Sequence, residues 1–424
     1  MSSIILKDIT IDGISRDVLI RAGLIERIEP AGSSVLWDIA GDVEIMDCTG
    51  KVAIPGFVNM HVHAAMSLMR GLGEDMVFND WITKIWDVEK NIDSEYVYWA
   101  TKVACIEMIR TGTTTFNDHY WHFDASVRAA REMGLRIATG YEIMDKGSIA
   151  EAERQKLQCR ERTEKYFAAP SDMHIYQLAF HAIYSVSEEM MLWAAEFARQ
   201  HNINLHIHLS ETRKEVEDCK AAHGGLTPVE YLDRLGILSD RIIAAHTLWL
   251  SDEDVRLLGK HGVHCVHNVN SNTKLASGYR FLYKELQEAG ANVCLGTDGC
   301  ASSNNLDMLE VMKTSALFQK AWRDDPSALP LPQLIDMATA NGAKALGIQS
   351  GRLVPGAVAD INIVDTDNTF FLSNSPFLAN LVYSAHSDCI DSVICAGRVV
   401  MRNREIPGEK EILHQAKRVL EKIA

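Results

Sequence analysis

Between Pro55 and Gly296 the chain repeats one pattern: a short apolar stretch, then a longer one with helical spacing. The first strand-like stretch is Pro55-Gly56-Phe57-Val58-Asn59-Met60-His61-Val62-His63, and others follow at 113–116, 136–140, 175–180, 203–209, 242–245, 263–266 and 293–296. Between them, Ser94 is placed to cap a helix whose apolar positions Val97, Ala100, Ala104 and Met108 keep helical spacing until Gly112. Further helices are predicted around 80–89 and at 127–133, 187–199, 252–260 and 283–289. Eight strands alternating with helices predict a (β/α)8 barrel. The competing open, doubly wound sheet usually carries Gly-x-Gly-x-x-Gly after its first strand, and none stands there.

The two ends of the chain differ from this middle. Residues 4–6, 18–20, 24–28 and 43–46 are β-rich and separated by Asp12-Gly13 and Ala22-Gly23; 360–365 and 392–401 have the same texture. The expected fold is therefore α/β: a distorted (β/α)8 barrel over 55–351, with a small β-sandwich domain built from 1–54 and 352–424.

A formal net charge of −15 argues against nucleic acid or an anionic membrane as the main partner. The first residues lack the apolar core of a signal peptide, and no apolar run is long enough to span a bilayer. Nine cysteines, with no Cys-x-x-Cys, suit reduced thiols and a cytoplasmic location.

Barrel active sites lie at the C-terminal ends of the strands, so the residues there carry the functional argument. His61 and His63 are two apart and share one face of their strand. The fifth strand ends in His206-Ile207-His208-Leu209-Ser210-Glu211, the sixth in His246, the seventh in His267 and the eighth in Thr297-Asp298. One polar strand end means little, but five such ends, each after apolar residues, are hard to attribute to chance. Three histidines and a carboxylate suit zinc or iron with a position left for water, whose pKa such a metal lowers. Asp298 can touch the metal and take the water's proton, and Glu211 stands where it can carry a proton to a substrate. His246 is either a further ligand or orients the water, and the second role is preferred.

These residues carry a resemblance. The chain resembles the amidohydrolase superfamily, and within it the 5-methylthioadenosine/S-adenosylhomocysteine deaminases and their triazine-hydrolase relatives. The motifs are the His61-Val62-His63 strand, Met66-Ser67-Leu68-Met69-Arg70-Gly71, His206 to Thr212, Ser271-Asn272-Thr273-Lys274-Leu275-Ala276-Ser277-Gly278, and Gly296-Thr297-Asp298-Gly299. The resemblance implies metal ligands His61, His63, His208 and Asp298, with one divalent ion: zinc, or else iron or manganese. It assigns proton transfer to Glu211 and Asp298, the hydrolytic water to His246, and substrate contacts to Glu89, His181, Glu211 and Asp298. Prolines usual around that histidine are absent near His181, and Asn268-Val269-Asn270 replaces a cysteine–proline pair. The family's substrate-binding arginine falls near 145–162, where Arg154 is a candidate.

The implied activity is hydrolytic deamination of S-adenosylhomocysteine, 5-methylthioadenosine or adenosine to the inosyl product and ammonia, by a homo-oligomer. The alternatives are another aminated heterocycle (guanine, pterin or s-triazine) on the same site, or a catalytically silent purine-binding barrel. Among the other histidines, His206 is expected to be a buried neighbour of the ligands. His119 and His122 follow the second strand and either face the pocket mouth or are packing or surface groups, the second reading preferred, and His267 is read as pocket wall, a neighbour of the ligands or background.

Overall fold

The computed structural model describes residues 3–33 and 42–422. Parts of the terminal-domain assignment at 1–2, 34–41 and 423–424 lie outside the described residues.

Two sheets organise the chain. The first is mixed and draws on both termini: β1 (Ser3–Ile11), β2 (Ile14–Arg21), β3 (Leu24–Pro30), β4 (Val43–Asp47) and β5 (Lys51–Pro55) come from the start. β14 (Ile361–Asp365), β15 (Ile390–Cys395) and β16 (Arg398–Met401) come from the end. The order is β16-β15-β14-β5-β1-β2-β3, with β4 also on β1. β1 is the branch point: its first half pairs in parallel with β4 from Ser3↔Val43 to Lys7↔Asp47, and Thr10 pairs with Val52 of β5. The two halves enclose one apolar core, in which Leu6, Ile9, Val18 and Ile25 meet Ile361, Ile363 and Ile394. The antiparallel pairing of β5 with β14 joins the two ends of the chain.

The second sheet is the barrel: β6 (Phe57–Val62), β7 (Thr113–Asp118), β8 (Arg136–Ile143), β9 (His174–Phe180), β10 (Leu205–Leu209), β11 (Ile242–His246), β12 (His264–His267) and β13 (Asn292–Leu295). Each strand is parallel to the next in chain order. The stretch read as one strand from Pro55 is two: Pro55 closes β5 in the terminal sheet, and Phe57 opens β6 in the barrel. Gly56 makes the transfer, because a side chain there would run into Thr114.

β13 and β6 meet without a regular ladder. The Asn59 amide bridges them, donating to Thr297 Oγ1 at 2.7 Å and accepting the Thr297 N–H at 3.0 Å. The Asp298 N–H donates to the His61 carbonyl at 2.9 Å. Gly296 permits this approach, since a Cβ there would stand 2.9 Å from the His61 nitrogen.

Helices cover the barrel, among them α1 (Phe78–Glu89), α2 (Ser94–Arg110), α3 (Phe123–Met133), α4 (Ile149–Ala168), α5 (Glu188–His201) and α6 (Arg213–Ala222). Asp93, one residue before the predicted cap, caps α2 by accepting the Tyr96 N–H at 2.9 Å. The terminal sheet is pinned to the barrel floor by a buried ion pair, Arg136 Nη1 to Asp360 Oδ2 at 2.7 Å. Arg136 also donates to Thr115 Oγ1, and Asp360 accepts from Ser350 Oγ and the Ala396 N–H. No helix among the described residues is long and apolar enough to cross a membrane. All nine cysteines are buried and unpaired.

Candidate active site

The strand ends converge on one point. His61 is the fifth residue of β6 and fully buried; His63 follows the strand, where Asp118 Oδ1 accepts the Ala64 N–H at 2.8 Å and fixes the turn. His208 comes from β10, with its side chain on the same face as His206. His246 ends β11 and Asp298 stands three residues beyond β13, both with left-handed backbone, φ +73° and +66°. Residues other than glycine seldom adopt that conformation, and here it aims an imidazole and a carboxylate at one cavity.

Hydrogen bonding fixes the histidine tautomers. His63 Nδ1 donates to the His119 carbonyl at 2.5 Å, and His208 Nδ1 donates to the His181 carbonyl at 2.8 Å. A carbonyl only accepts, so both Nδ1 atoms carry the proton and both Nε2 atoms present bare lone pairs. These two Nε2 atoms face each other at 3.3 Å. Asp298 Oδ1 stands 3.3 Å from His63 Nε2 and 3.5 Å from His61 Nε2. His61 Nε2 is buried with no hydrogen-bond partner, while its Nδ1 lies 3.0 Å from His206 Nε2. Lone pairs crowded together in this way repel unless a cation stands among them, so the donor set fits a metal ion. Three groupings among the described residues are close enough to hold one: His61 with His63 and His208, His61 with His246 and Asp298, and His61 with His119 and His206.

The carboxyl groups differ sharply in character. Burial works against the Asp298 charge, but the His61 and His63 rings, 3.5 and 3.3 Å away, hold its carboxyl well below the usual range. Burial pushes Glu211 well above that range, and the Asp298 charge reinforces the effect. Two nearby carboxyls whose environments push them apart suit opposite proton roles. His246 completes the group: Nδ1 donates to Asn272 Oδ1 at 2.8 Å, and Nε2 lies 3.8 Å from Glu211 Oε2.

A cavity opens over these groups. Glu89, at the end of α1, and His181, after β9, both line it. His181 Nδ1 bonds to Ser185 Oγ at 2.9 Å, while its carbonyl orients His208.

Two lining residues escaped the sequence reading. His119, read as a packing or surface group, is buried in the cavity wall with both ring nitrogens unpartnered. Its Nε2 lies 3.4 Å from Glu142 Oε1, the second omission. Glu142 was missed because the third strand was expected to end at Gly140, whereas β8 runs to Ile143. Alternation from Gly140 would have placed Glu142 on the inner face. Arg154 is corrected in the other direction. It lies on α4, paired with Glu151 and Gln158, and lines a neighbouring cleft rather than this cavity. His122 lines that cleft too, and His267 stacks on Phe281 at 4.1 Å without reaching the cavity.

Burial pushes Glu142 up to about 8. The unfolded chain ionises this group near pH 4.3 (roughly, for a free glutamate), so through the interval the folded chain keeps a proton that the unfolded one has lost. Its contribution to stability therefore falls as pH rises, and levels off above about 8. Glu142→Gln removes the effect. The thermal midpoint of the metal-free variant should gain on that of the parent from about pH 5 to 8. The buried histidines, which act with opposite sign below about pH 6.5, cancel in this comparison. A gap that does not change with pH would contradict the assignment.

Comparison with known proteins is decisive at this point. The profile of the Amidohydrolase family matches residues 52–400. The chain belongs to the amidohydrolase family. This amidohydrolase is 46% identical over 399 residues to the 5'-deoxyadenosine deaminase of Methanoregula boonei, covering 92% of this chain and 89% of that one. It is 41% identical over 389 residues to 5-methylthioadenosine/S-adenosylhomocysteine deaminase 1 of Archaeoglobus fulgidus, covering 91% and 89%. Among solved structures, an adenosine deaminase from Xanthomonas campestris with bound zinc superposes with a TM-score of 0.90 at 29% identity, covering 99% and 98%. A triazine hydrolase from Arthrobacter aurescens, at 22% identity and TM-score 0.89 over 99% and 100%, shares the fold.

Proposed function

We propose that this amidohydrolase hydrolytically deaminates adenosine-type nucleosides: 5'-deoxyadenosine, adenosine and their 5'-thioethers. The observation that carries the reading is the convergence of His61, His63, His208 and Asp298 on one point, with Glu211 and His246 lining the same cavity. The names of its relatives support the substrate class.

His61, His63, His208 and Asp298 would hold one divalent ion, and zinc is our assignment because a structural relative at 29% identity binds it. When bound, such an ion lowers the pKa of water so that hydroxide is available near neutral pH. The chain's own groups do the rest. Glu211 gives its proton to the ring nitrogen beside the amino-bearing carbon, raising that carbon's electrophilicity. Asp298 accepts the proton that water loses on attack and returns it to the departing amine, which leaves as ammonia, while the proton of the added hydroxyl passes back to Glu211 as the ring carbonyl forms. His246, its Nδ1–H held by Asn272, turns a bare Nε2 toward the attacking water. Glu89 accepts from the ribose hydroxyls, and His181 flanks the nucleoside. Among the described residues the cavity lining contains no lysine or arginine, which suits a neutral ring and sugar.

We assign catalysis to the barrel domain, expected over 55–351 and opening in its first strand at Phe57, with the terminal domain of 1–54 and 352–424 as its support. We also assign a cytoplasmic homo-oligomer; the unpaired buried thiols favour a reducing compartment, and light scattering tests the assembly.

A panel of 5'-deoxyadenosine, adenosine, methylthioadenosine, S-adenosylhomocysteine, guanine, a pterin and an s-triazine, followed by ammonia release, tests the substrate class. Turnover of another ring with adenosine compounds untouched would overturn it. Stripping the metal with a chelator should abolish turnover and lower the thermal midpoint, and zinc, iron and manganese should then be compared for restoring both. A stripped protein retaining full activity would remove the metal from the reading.

A further inference from the structure

The loop that presents Glu211 is held by a residue outside the chemistry just described. Glu215, on the first turn of α6, is buried, and its carboxylate takes two backbone donors. The Ser210 N–H donates to Oε1 at 2.9 Å, and the Glu211 N–H to Oε2 at 2.8 Å. Ser210 is left-handed, φ +53°, so the bend is one a serine adopts only when its surroundings impose it.

The same chain provides a control. At Thr227-Pro228-Val229-Glu230 the glutamate closes an ordinary capping box, accepting the N–H of its own Thr227 at 2.8 Å. Thr212-Arg213-Lys214-Glu215 has the same spacing, and Thr212 Oγ1 accepts the Glu215 N–H at 3.0 Å. There the return bond is diverted. Glu215 reaches past Thr212 to the two residues upstream, one of which is the proposed proton donor. The other side of the Ser210 peptide is also held, because its carbonyl accepts the N–H groups of Leu248 and Trp249 at 3.1 and 3.0 Å. That loop follows His246 directly. One peptide, gripped from two sides, thus ties the loop of Glu211 to the loop of His246.

We propose that Glu215 is a positioning residue for the deamination. By holding the Ser210 and Glu211 amides it sets where the Glu211 carboxyl stands relative to His246 and the substrate ring. This rests on the proton-transfer role assigned to Glu211 above. The arrangement needs two acceptor oxygens on one side chain. Glutamine keeps one and sets an NH2 against the second amide, and alanine keeps neither.

The test measures kcat, KM, metal content and thermal midpoint for Glu215→Gln, Glu215→Ala and Glu211→Gln on the metal-loaded enzyme. Misplacing a catalytic group by about 1 Å can cost on the order of 10²-fold, so kcat of Glu215→Ala should fall by roughly that factor. Glu215→Gln should fall between it and the parent, and KM and metal content should stay near parental values in both. Parental kcat in Glu215→Gln and Glu215→Ala, with Glu211→Gln inactive, would overturn the positioning role alone. Full activity in Glu211→Gln would instead remove the role of Glu211, and this proposal with it. A loss of kcat that merely tracks lost metal or a lowered midpoint would make Glu215 a structural residue and overturn the proposal. If Glu215→Ala does not fold, Glu215→Gln decides by the same criteria.

Discussion

Glu211→Gln is expected to lower kcat by about 10²- to 10⁴-fold, the range a well-placed general acid contributes. The amide is the same size and keeps the packing, but it has no proton to deliver to the ring nitrogen. Glu211 is no member of the three groupings able to hold a metal, so the variant should bind its ion with parental stoichiometry. KM should change little, since ring and ribose contacts persist. Elemental analysis beside steady-state kinetics separates the outcomes. Full activity would remove Glu211 from the chemistry, whereas loss of metal along with activity would place it in the ion's support.

The largest stability effect is expected at the barrel floor. Asp360→Ala strands the Arg136 guanidinium, whose side chain is only 3% exposed. Breaking one partner of a buried pair typically costs about 3–5 kcal/mol, because the remaining charge is left dry and uncompensated. The variant also loses the acceptor for Ser350 Oγ and the Ala396 N–H, so the upper part of that range is expected. A double replacement of Arg136 and Asp360 by apolar residues should lose less than Asp360→Ala alone. Urea denaturation measures both. At 25 °C the folded fraction of Asp360→Ala should keep parental kcat, because Arg136 opens β8 while Glu142 of the cavity lies near its other end. A single-variant cost below about 1 kcal/mol would mean that the floor relaxes around the stranded charge.

How far the sequence could be read depended on whether a signal was local. His61, His208, His246 and Asp298 could be found because each follows a run of apolar residues whose alternation gives its face. The barrel followed from the same runs. Glu142 was invisible for a reason of boundaries: Tyr141 and Glu142 extend a strand past a glycine that reads as its end. His119 looked like a loop residue because nothing local reveals that the turn after β7 folds inward over His63. The matched texture of the two termini pointed to a shared sheet. The branching of β1 between β4 and β5 did not show, since pairing partners are set by tertiary packing rather than by propensity. Glu215 was the subtlest case. Its Thr-x-x-Glu spacing reads as a helix cap, and only the folded chain shows the bond sent elsewhere.

The seam between β6 and β13 has a consequence for when this protein first becomes competent. Asn59 and Thr297 are 238 positions apart, and the contacts they make are the ones that bring Asp298 to His61 and His63. Contacts so distant in sequence come at high loop-closure entropy and form late in folding. A chain still emerging from synthesis can carry seven barrel strands and both early histidines yet have no Asp298 to set beside them. The cluster is therefore complete only once the last strand has docked against the first. Until then the cluster of His61, His63 and Asp298 is incomplete.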